Sequence, residues 1–154
     1  MLQADMAQRF TIIRYIPATP ADVWHAWTTP QAIAQWWHLP HTTTPRDELE
    51  YDVQVGGSYI YTSIDGQTQE RSVSGGTFRE VSPPERLVFT WGAPGFKPAQ
   101  LPVATVEIEE ISDGTYVTFE LSGVSGEPGD GAFYDIWDNA LTSLRDYAKT
   151  ASTA

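Results

Sequence analysis

The chain contains no cysteine, which excludes a disulfide framework, a thiolate nucleophile and every cysteine-based metal site. Basic residues are scarce: 9 lysines and arginines stand against 20 aspartates and glutamates, for a formal charge of −11. Nucleic acids and anionic membrane surfaces are both held by basic patches, so this balance argues against either as a partner. No apolar run approaches the roughly 20 residues of a membrane span. The opening Met1-Leu-Gln-Ala-Asp-Met-Ala-Gln-Arg9 lacks the basic-then-apolar order of a secretory signal. The expectation is a soluble cytoplasmic protein. Only three histidines occur, His25, His38 and His41. His38 and His41 sit close together with Asp47 a little beyond, but the spacing fits no zinc pattern and no metal site is expected. There is no Gly-x-Ser-x-Gly elbow. Gly56-Gly57 and Gly75-Gly76 neither open a helix nor precede a lysine, so they are bend sites rather than phosphate loops. No cofactor is implied.

What the chain does have is indole. Thr19 to Trp37 holds four tryptophans and two helix starts in one short stretch. Thr19, Pro20 and Asp22 read as a cap, a proline at the first helical position and an early carboxylate, and Thr29-Pro30 repeats the cap-then-proline order. Val23, Trp24 and Trp27 share a stripe on the first helix; Ile33, Trp36 and Trp37 share one on the second. With 154 residues and 41% apolar content the chain is expected to form one domain over 1–154, with its core over roughly 8–149.

Alternation then takes over. Arg9 to Ile16 reads as a strand before Pro17, and 38–45 as a loop with a threonine run. Candidate strands follow over 49–55, 58–64, 71–81, 86–91, 103–111 and 116–121. Asp65-Gly66 and Asp113-Gly114 mark hairpins, and Gly75-Gly76 marks a bulge or bend inside a strand. After a Gly- and acid-rich loop, Phe133, Ile136, Trp137, Ala140, Leu141, Leu144 and Tyr147 recur at helical spacing, with Asp130 placed to cap. One apolar face per strand and one apolar stripe on the last helix need each other. The expected fold is α+β: a curved antiparallel sheet gripping a long C-terminal helix, with the two short helices closing one end. A bowed sheet leaves a gap beside a straight helix, and a gap lined by aromatic rings is an ordinary ligand site.

The candidate lining is Trp24, Trp27, Trp36, Trp37, His38, Tyr59, Tyr61, Phe78, Phe89, Trp91, Phe119, Phe133 and Trp137. Arg71 shares the parity of Val73, Gly75 and Thr77: on a concave face it would anchor a ligand carboxylate, on a convex face it is a surface arginine. Glu70, Glu120, Asp135 and Asp138 are the carboxylates to consider for acid–base work. Glu120 points away from Phe119, and Asp135 and Asp138 fall off the helical stripe, so none is assigned a catalytic role.

Three segments together resemble a known family: 16–37 with its paired tryptophans, Tyr51-Asp-Val-Gln-Val-Gly-Gly-Ser-Tyr59 with 74–91, and the last helix with Trp137-Asp-Asn-Ala-Leu-Thr-Ser-Leu144. The chain is similar, from about Phe10 to Tyr147, to the bacterial proteins related to the activator of the heat-shock-protein-90 ATPase, within the START-like, helix-grip superfamily. The resemblance implies that fold, and a hydrophobic pocket between the long helix and the sheet. In relatives the paired tryptophans are usually followed by glycine; here His38-Leu-Pro follows, which alters the mouth. The family includes ligand carriers, stress proteins and many members of unknown role, so membership leaves activity open. The leading expectation is a module that binds a lipid or aromatic small molecule. The alternatives are a co-chaperone acting on a heat-shock-protein-90-type ATPase, and a hydrolase or cyclase using the pocket with His38 at its rim. An exposed edge strand could also pair two copies.

Overall fold

The computed structural model describes residues 5–37, 42–45, 48–92 and 101–153. Strand β1 (Asp5–Ile16) leads into helices α1 (Pro20–Thr28) and α2 (Pro30–Trp36). Phe10, Ile12 and Ile16 of β1 turn inward and are buried, while Ile13 and Tyr15 face out. The Thr19 hydroxyl accepts the Asp22 N–H at 3.2 Å, as the cap reading requires. Thr29 does not repeat it: its hydroxyl makes no cap bond and sits 3.1 Å from His25 Nδ1 instead.

Seven strands follow in the described residues: β2 (Thr42–Thr43), β3 (Glu50–Tyr51), β4 (Ser58–Asp65), β5 (Arg71–Ser82), β6 (Arg86–Thr90), β7 (Val103–Ile111) and β8 (Gly114–Gly123). Two of them correct the sequence reading. The threonine run expected as loop contains a short strand that pairs Thr42 with Asp65 and Thr43 with Ile64. The strand expected over 49–55 shrinks to Glu50–Tyr51, because Asp52 and Gln54 carbonyls accept from Gln54 and Gly57 amides and turn the chain. The sheet is antiparallel and open, in the order β1-β8-β7-β6-β5-β4-β2, with β3 also on β4.

β5 explains how this sheet bends. Residues 71–77 pair with β4, whereas Phe78 to Ser82 pair with β6, across an irregularity just after Phe78. At the changeover Thr77 N–H donates to the Thr90 hydroxyl at 2.9 Å rather than to a ladder carbonyl. Backbones crowd here. A methyl group on Gly76 would collide with the Thr90 carbonyl, and one on Gly92 with the Gly75 carbonyl. Glycine is required for close approach, which is what Gly75-Gly76 signalled.

Helix α3 (Phe133–Thr153) lies on the inner face against β1, with α1 and α2 packed beside it. Trp137, Ala140, Leu141, Leu144 and Ala148 are its buried stripe. The Asp130 carboxylate precedes it and accepts the amides of Ala132 (2.8 Å), Glu127 (3.2 Å), Asp135 (3.3 Å) and Tyr134 (3.4 Å). Desolvation, the largest single influence, opposes ionisation, but the four donors together outweigh it and hold the carboxyl below its ordinary range. A depressed pKa contributes stability that is present above the ordinary carboxylate value and is lost as pH falls through the folded-state value. Denaturation midpoints of the wild type and Asp130→Ala should therefore differ at neutral pH and converge in acid. A constant gap across that range would contradict the capping role.

Candidate functional site

The inner faces of β4, β5 and β6 place Tyr59, Tyr61, Phe78, Leu87 and Phe89, with Trp91 just past the end of β6, opposite the indoles of α1, α2 and α3. Trp137 of α3 is the hub. It stacks on Phe119 with ring centroids 4.2 Å apart and on Trp37 at 4.6 Å. Trp37 presents edges to Tyr61 at 5.7 Å and Trp91 at 6.2 Å. Trp27 meets Trp36 edge-on at 4.9 Å and lies nearly parallel to Trp137, 6.3 Å away at 16°. Tyr51 stacks on Tyr59 at 5.1 Å and brings β3 into the same cluster. Within it remains a cavity of about 30 Å³, lined by Trp27, Ile33, Trp36, Trp37, Tyr51, Tyr59, Tyr61, Phe78, Leu87, Phe89, Trp91 and Trp137. A single water needs roughly 10–15 Å³ of such space, so an organic molecule does not fit until a ring moves. The hollow foreseen from the fold is thus occupied largely by the protein's own rings.

The hydrogen bonds of these rings divide them. Trp36 Nε1 donates to the Ala26 carbonyl at 2.8 Å, Trp91 Nε1 to the Tyr61 hydroxyl at 3.1 Å, and the Tyr59 hydroxyl to the Thr90 carbonyl at 2.7 Å. Trp27 Nε1 and Trp137 Nε1 are buried and have no acceptor among the described residues. An unmet buried donor costs about 1–3 kcal/mol. Burial pushes the Tyr61 phenol up to about 12, against the opposing bonds from Trp91 and Ser74. Burial, reinforced by neighbouring phenols, raises Tyr51 and Tyr59 as well. All three are protonated, uncharged donors at neutral pH. Tyr61→Phe removes the acceptor of Trp91 Nε1 and should cost roughly 1–2 kcal/mol in urea denaturation; an unchanged midpoint would show that this bond contributes nothing.

The other candidates fall outside the cavity. Phe119 backs Trp137, Phe133 meets Trp91 edge-on at 5.7 Å without lining the cavity, and Trp24 of α1 is half-buried, packed against the core beside the cavity rather than in its wall. Arg71 takes the convex option: it shares the outer face with Val73, is 51% exposed, and pairs with Glu48. His38, with His41 and Asp47, lies outside the described residues. Glu120 faces outward 4.0 Å from Arg9, Glu70 sits exposed in the turn before β5, and Asp135 accepts the amides of Gly129 (2.9 Å) and Gly131 (2.7 Å). Among the described residues no cluster of three metal-ligating side chains occurs, and no helix is long and apolar enough to cross a membrane.

Sequence reasoning missed four residues. Ile33, Tyr51 and Leu87 line the cavity, and their signals were present: the stripe of Trp36 and the parities of Tyr59 and Phe89. The fourth is Arg14. It occupies the inward parity of Phe10, Ile12 and Ile16, is 19% exposed, and ties β1 to α3 through the Asp138 carboxylate and the Thr142 hydroxyl, the latter at 3.0 Å. An arginine on the buried parity of a strand was the signal.

Comparison with known proteins places the architecture. The sequence profile described as "Activator of Hsp90 ATPase homolog 1-like protein" matches residues 17–149. A protein of known structure from Nitrosomonas europaea is 20% identical, with a TM-score of 0.78 over 97% of this chain and 99% of that one. An AHSA1-like protein from Aeromonas hydrophila is 23% identical, with a TM-score of 0.76 over 94% of each chain. A protein of unknown function from Staphylococcus aureus is 21% identical, with a TM-score of 0.77 over 95% of this chain and 96% of that one. At these identities the likeness is one of fold. No curated protein matches the chain.

Proposed function

The chain belongs to the family of Activator of Hsp90 ATPase homolog 1-like proteins, and from that premise we propose that it is a binding module for a hydrophobic or aromatic small molecule, held between α3 and the sheet where its own rings now stand. The supporting observation is the cavity at the centre of the ring cluster, whose lining includes Trp27 and Trp137, two buried indole donors without an acceptor among the described residues. A core selected for stability alone has little use for either.

Entry requires a ring to leave, and Trp37 is a tryptophan of the lining that stands outside a helix. It follows the last residue of α2 with extended backbone angles, φ −89° and ψ 119°, so its side chain can swing without unwinding a helix. Trp27, Trp36 and Trp137 are embedded in helices, and Trp91 is bonded to Tyr61. Because the closed form predominates, apparent affinity is the intrinsic affinity reduced by the open fraction. Each buried methylene of a ligand contributes about 0.8 kcal/mol, enough for micromolar binding by a medium-sized molecule after association costs.

The test is a panel of fatty acids, flavonoid-like aromatics and isoprenoids, read by tryptophan fluorescence and thermal shift. Saturable quenching by one class, with a matching rise in Tm, supports the reading. Silence across the panel removes it. The chaperone-activating alternative draws on the family description alone. An ATPase assay with a heat-shock-protein-90 chaperone separates the two: acceleration by this chain would favour that alternative.

A further inference from the structure

The hydroxyl groups at one end of the sheet narrow the ligand, given the binding reading above. We infer that the ligand is uncharged and amphipathic: its apolar body stands among the rings, and a hydroxyl or carbonyl head at one end is held by Ser63 of β4 and by Thr44, the residue after β2.

Placement follows from strand register. Side chains two apart on a strand share a face and stand about 7 Å from each other. Tyr59 and Tyr61 line the cavity. From there β4 runs on in unbroken register with β5, pairing Tyr61 with Ser74 and Ser63 with Ser72. Ser63 is therefore the next inward residue after Tyr61. The β2 register pairs Thr43 with Ile64, and carried one residue further it sets Thr44 beside Ser63. Along this face rings give way to hydroxyls. Trp37 presents its edge to Tyr61 at 5.7 Å, so the space that ring vacates borders the residue next inward from Ser63.

Burial makes these two hydroxyls unusual. Ser63 is 4% exposed and Thr44 7%, and the side-chain oxygen of each is buried without a partner among the described residues. Buried hydroxyls are as a rule hydrogen-bonded, and an unmet one costs stability. Elsewhere this chain follows the rule: the Thr115 hydroxyl donates to the Ala18 carbonyl at 2.6 Å, and the Thr90 hydroxyl accepts the Thr77 N–H at 2.9 Å. Alanine at 63 and valine at 44 would fill nearly the same space with no polar group to satisfy.

Head chemistry follows from what stands there. A hydroxyl side chain both donates and accepts, so a hydroxyl or a carbonyl oxygen satisfies it. β2 and β4 carry no base, and Arg71 of β5 faces outward, paired with Glu48. Two residues beyond Ser63, on the same parity, stands Asp65, whose carboxylate already accepts the amides of Gln67 at 2.7 Å and Thr68 at 2.9 Å. An anionic head would be desolvated here with an acid for a neighbour and no cation to meet it.

The experiment uses three rod-shaped probes of matched size: 4-phenylphenol, which has a hydroxyl at one end; biphenyl, which has none; and biphenyl-4-carboxylate, which is charged. Binding is followed by tryptophan fluorescence in the wild type, Ser63→Ala and Thr44→Val, and the stability of each unliganded chain by urea denaturation. Wild type should bind 4-phenylphenol roughly tenfold more tightly than biphenyl, and more tightly than the carboxylate. That preference should shrink towards one in both variants, while their urea midpoints without ligand stay level or rise. Loss of affinity joined to no loss of stability is the signature of a hydroxyl kept for a ligand. Equal binding of 4-phenylphenol and biphenyl by the wild type overturns the inference and leaves the binding reading standing. So does a preference that survives undiminished in either variant, a lowered midpoint in either, the carboxylate as the tightest probe, or binding of panel lipids when none of the three probes binds. No binding by these probes or by the panel removes both.

Discussion

Replacing Trp37 by alanine should destabilise the chain by about 3–5 kcal/mol, the range for deleting a large buried aromatic side chain whose surroundings cannot collapse. Trp37 is 4% exposed and has ring contacts with Trp36, Trp137, Tyr61 and Trp91. The neighbours are large, and two of them are pinned by hydrogen bonds, Trp36 to Ala26 and Trp91 to Tyr61. Relaxation into the space is therefore limited. The loss should be largely recoverable: free indole added at about a hundred times its dissociation constant restores about 2.7 kcal/mol by mass action. Chemical denaturation with and without indole measures both. A smaller loss with no recovery would mean that the neighbouring rings fall into the gap, and that Trp37 is packing rather than a plug.

Arg14→Ala should cost roughly 2–3 kcal/mol. Breaking a fully buried ion pair costs about 3–5 kcal/mol, but here Asp138 is 43% exposed and recovers part of its hydration once released. The lost aliphatic stem adds to the cost, since Arg14 lies on the apolar face between Ile12 and Ile16. Arg14→Met keeps that stem and should lose about half as much, and Arg14→Met with Asp138→Leu should return close to wild type. A double variant no better than Arg14→Ala would show that the pair does more than clamp β1 to α3. The same clamp anchors α3 one residue from Trp137, which stacks on Phe119. Its loss should therefore loosen the aromatic site as well as lower Tm.

Local pattern carried most of the architecture. Period-two alternation put Tyr59, Tyr61, Phe89, Val106 and Phe119 on the inner face, where the structure buries them. The helical stripe from Phe133 to Tyr147 found α3. The two glycines at 75 and 76 located the bend, though not its cause, which is that β5 leaves β4 for β6 there. Pairing between distant strands is invisible to local pattern, and for that reason Thr42–Thr43 read as loop until Asp65 and Ile64 supplied its partners. The site was legible in kind and not in volume. Alternation shows which face a ring is on, whereas the space left between layers depends on rotamers that stack Trp137 between Phe119 and Trp37. Arg71 shows the same limit: its parity with Val73 was correct, and only the sheet's overall bend made that face the outer one.

The most direct test of the central claim is a ¹⁹F spectrum of the chain labelled with 5-fluorotryptophan, recorded as a binding aromatic is added. The chain contains 6 tryptophans, so each ring can be assigned by single substitution. Ligand should carry the Trp37 signal to a solvent-sensitive position, with a D₂O isotope shift, while Trp36 stays buried. A ligand that binds while Trp37 remains shielded and unmoved would contradict the account.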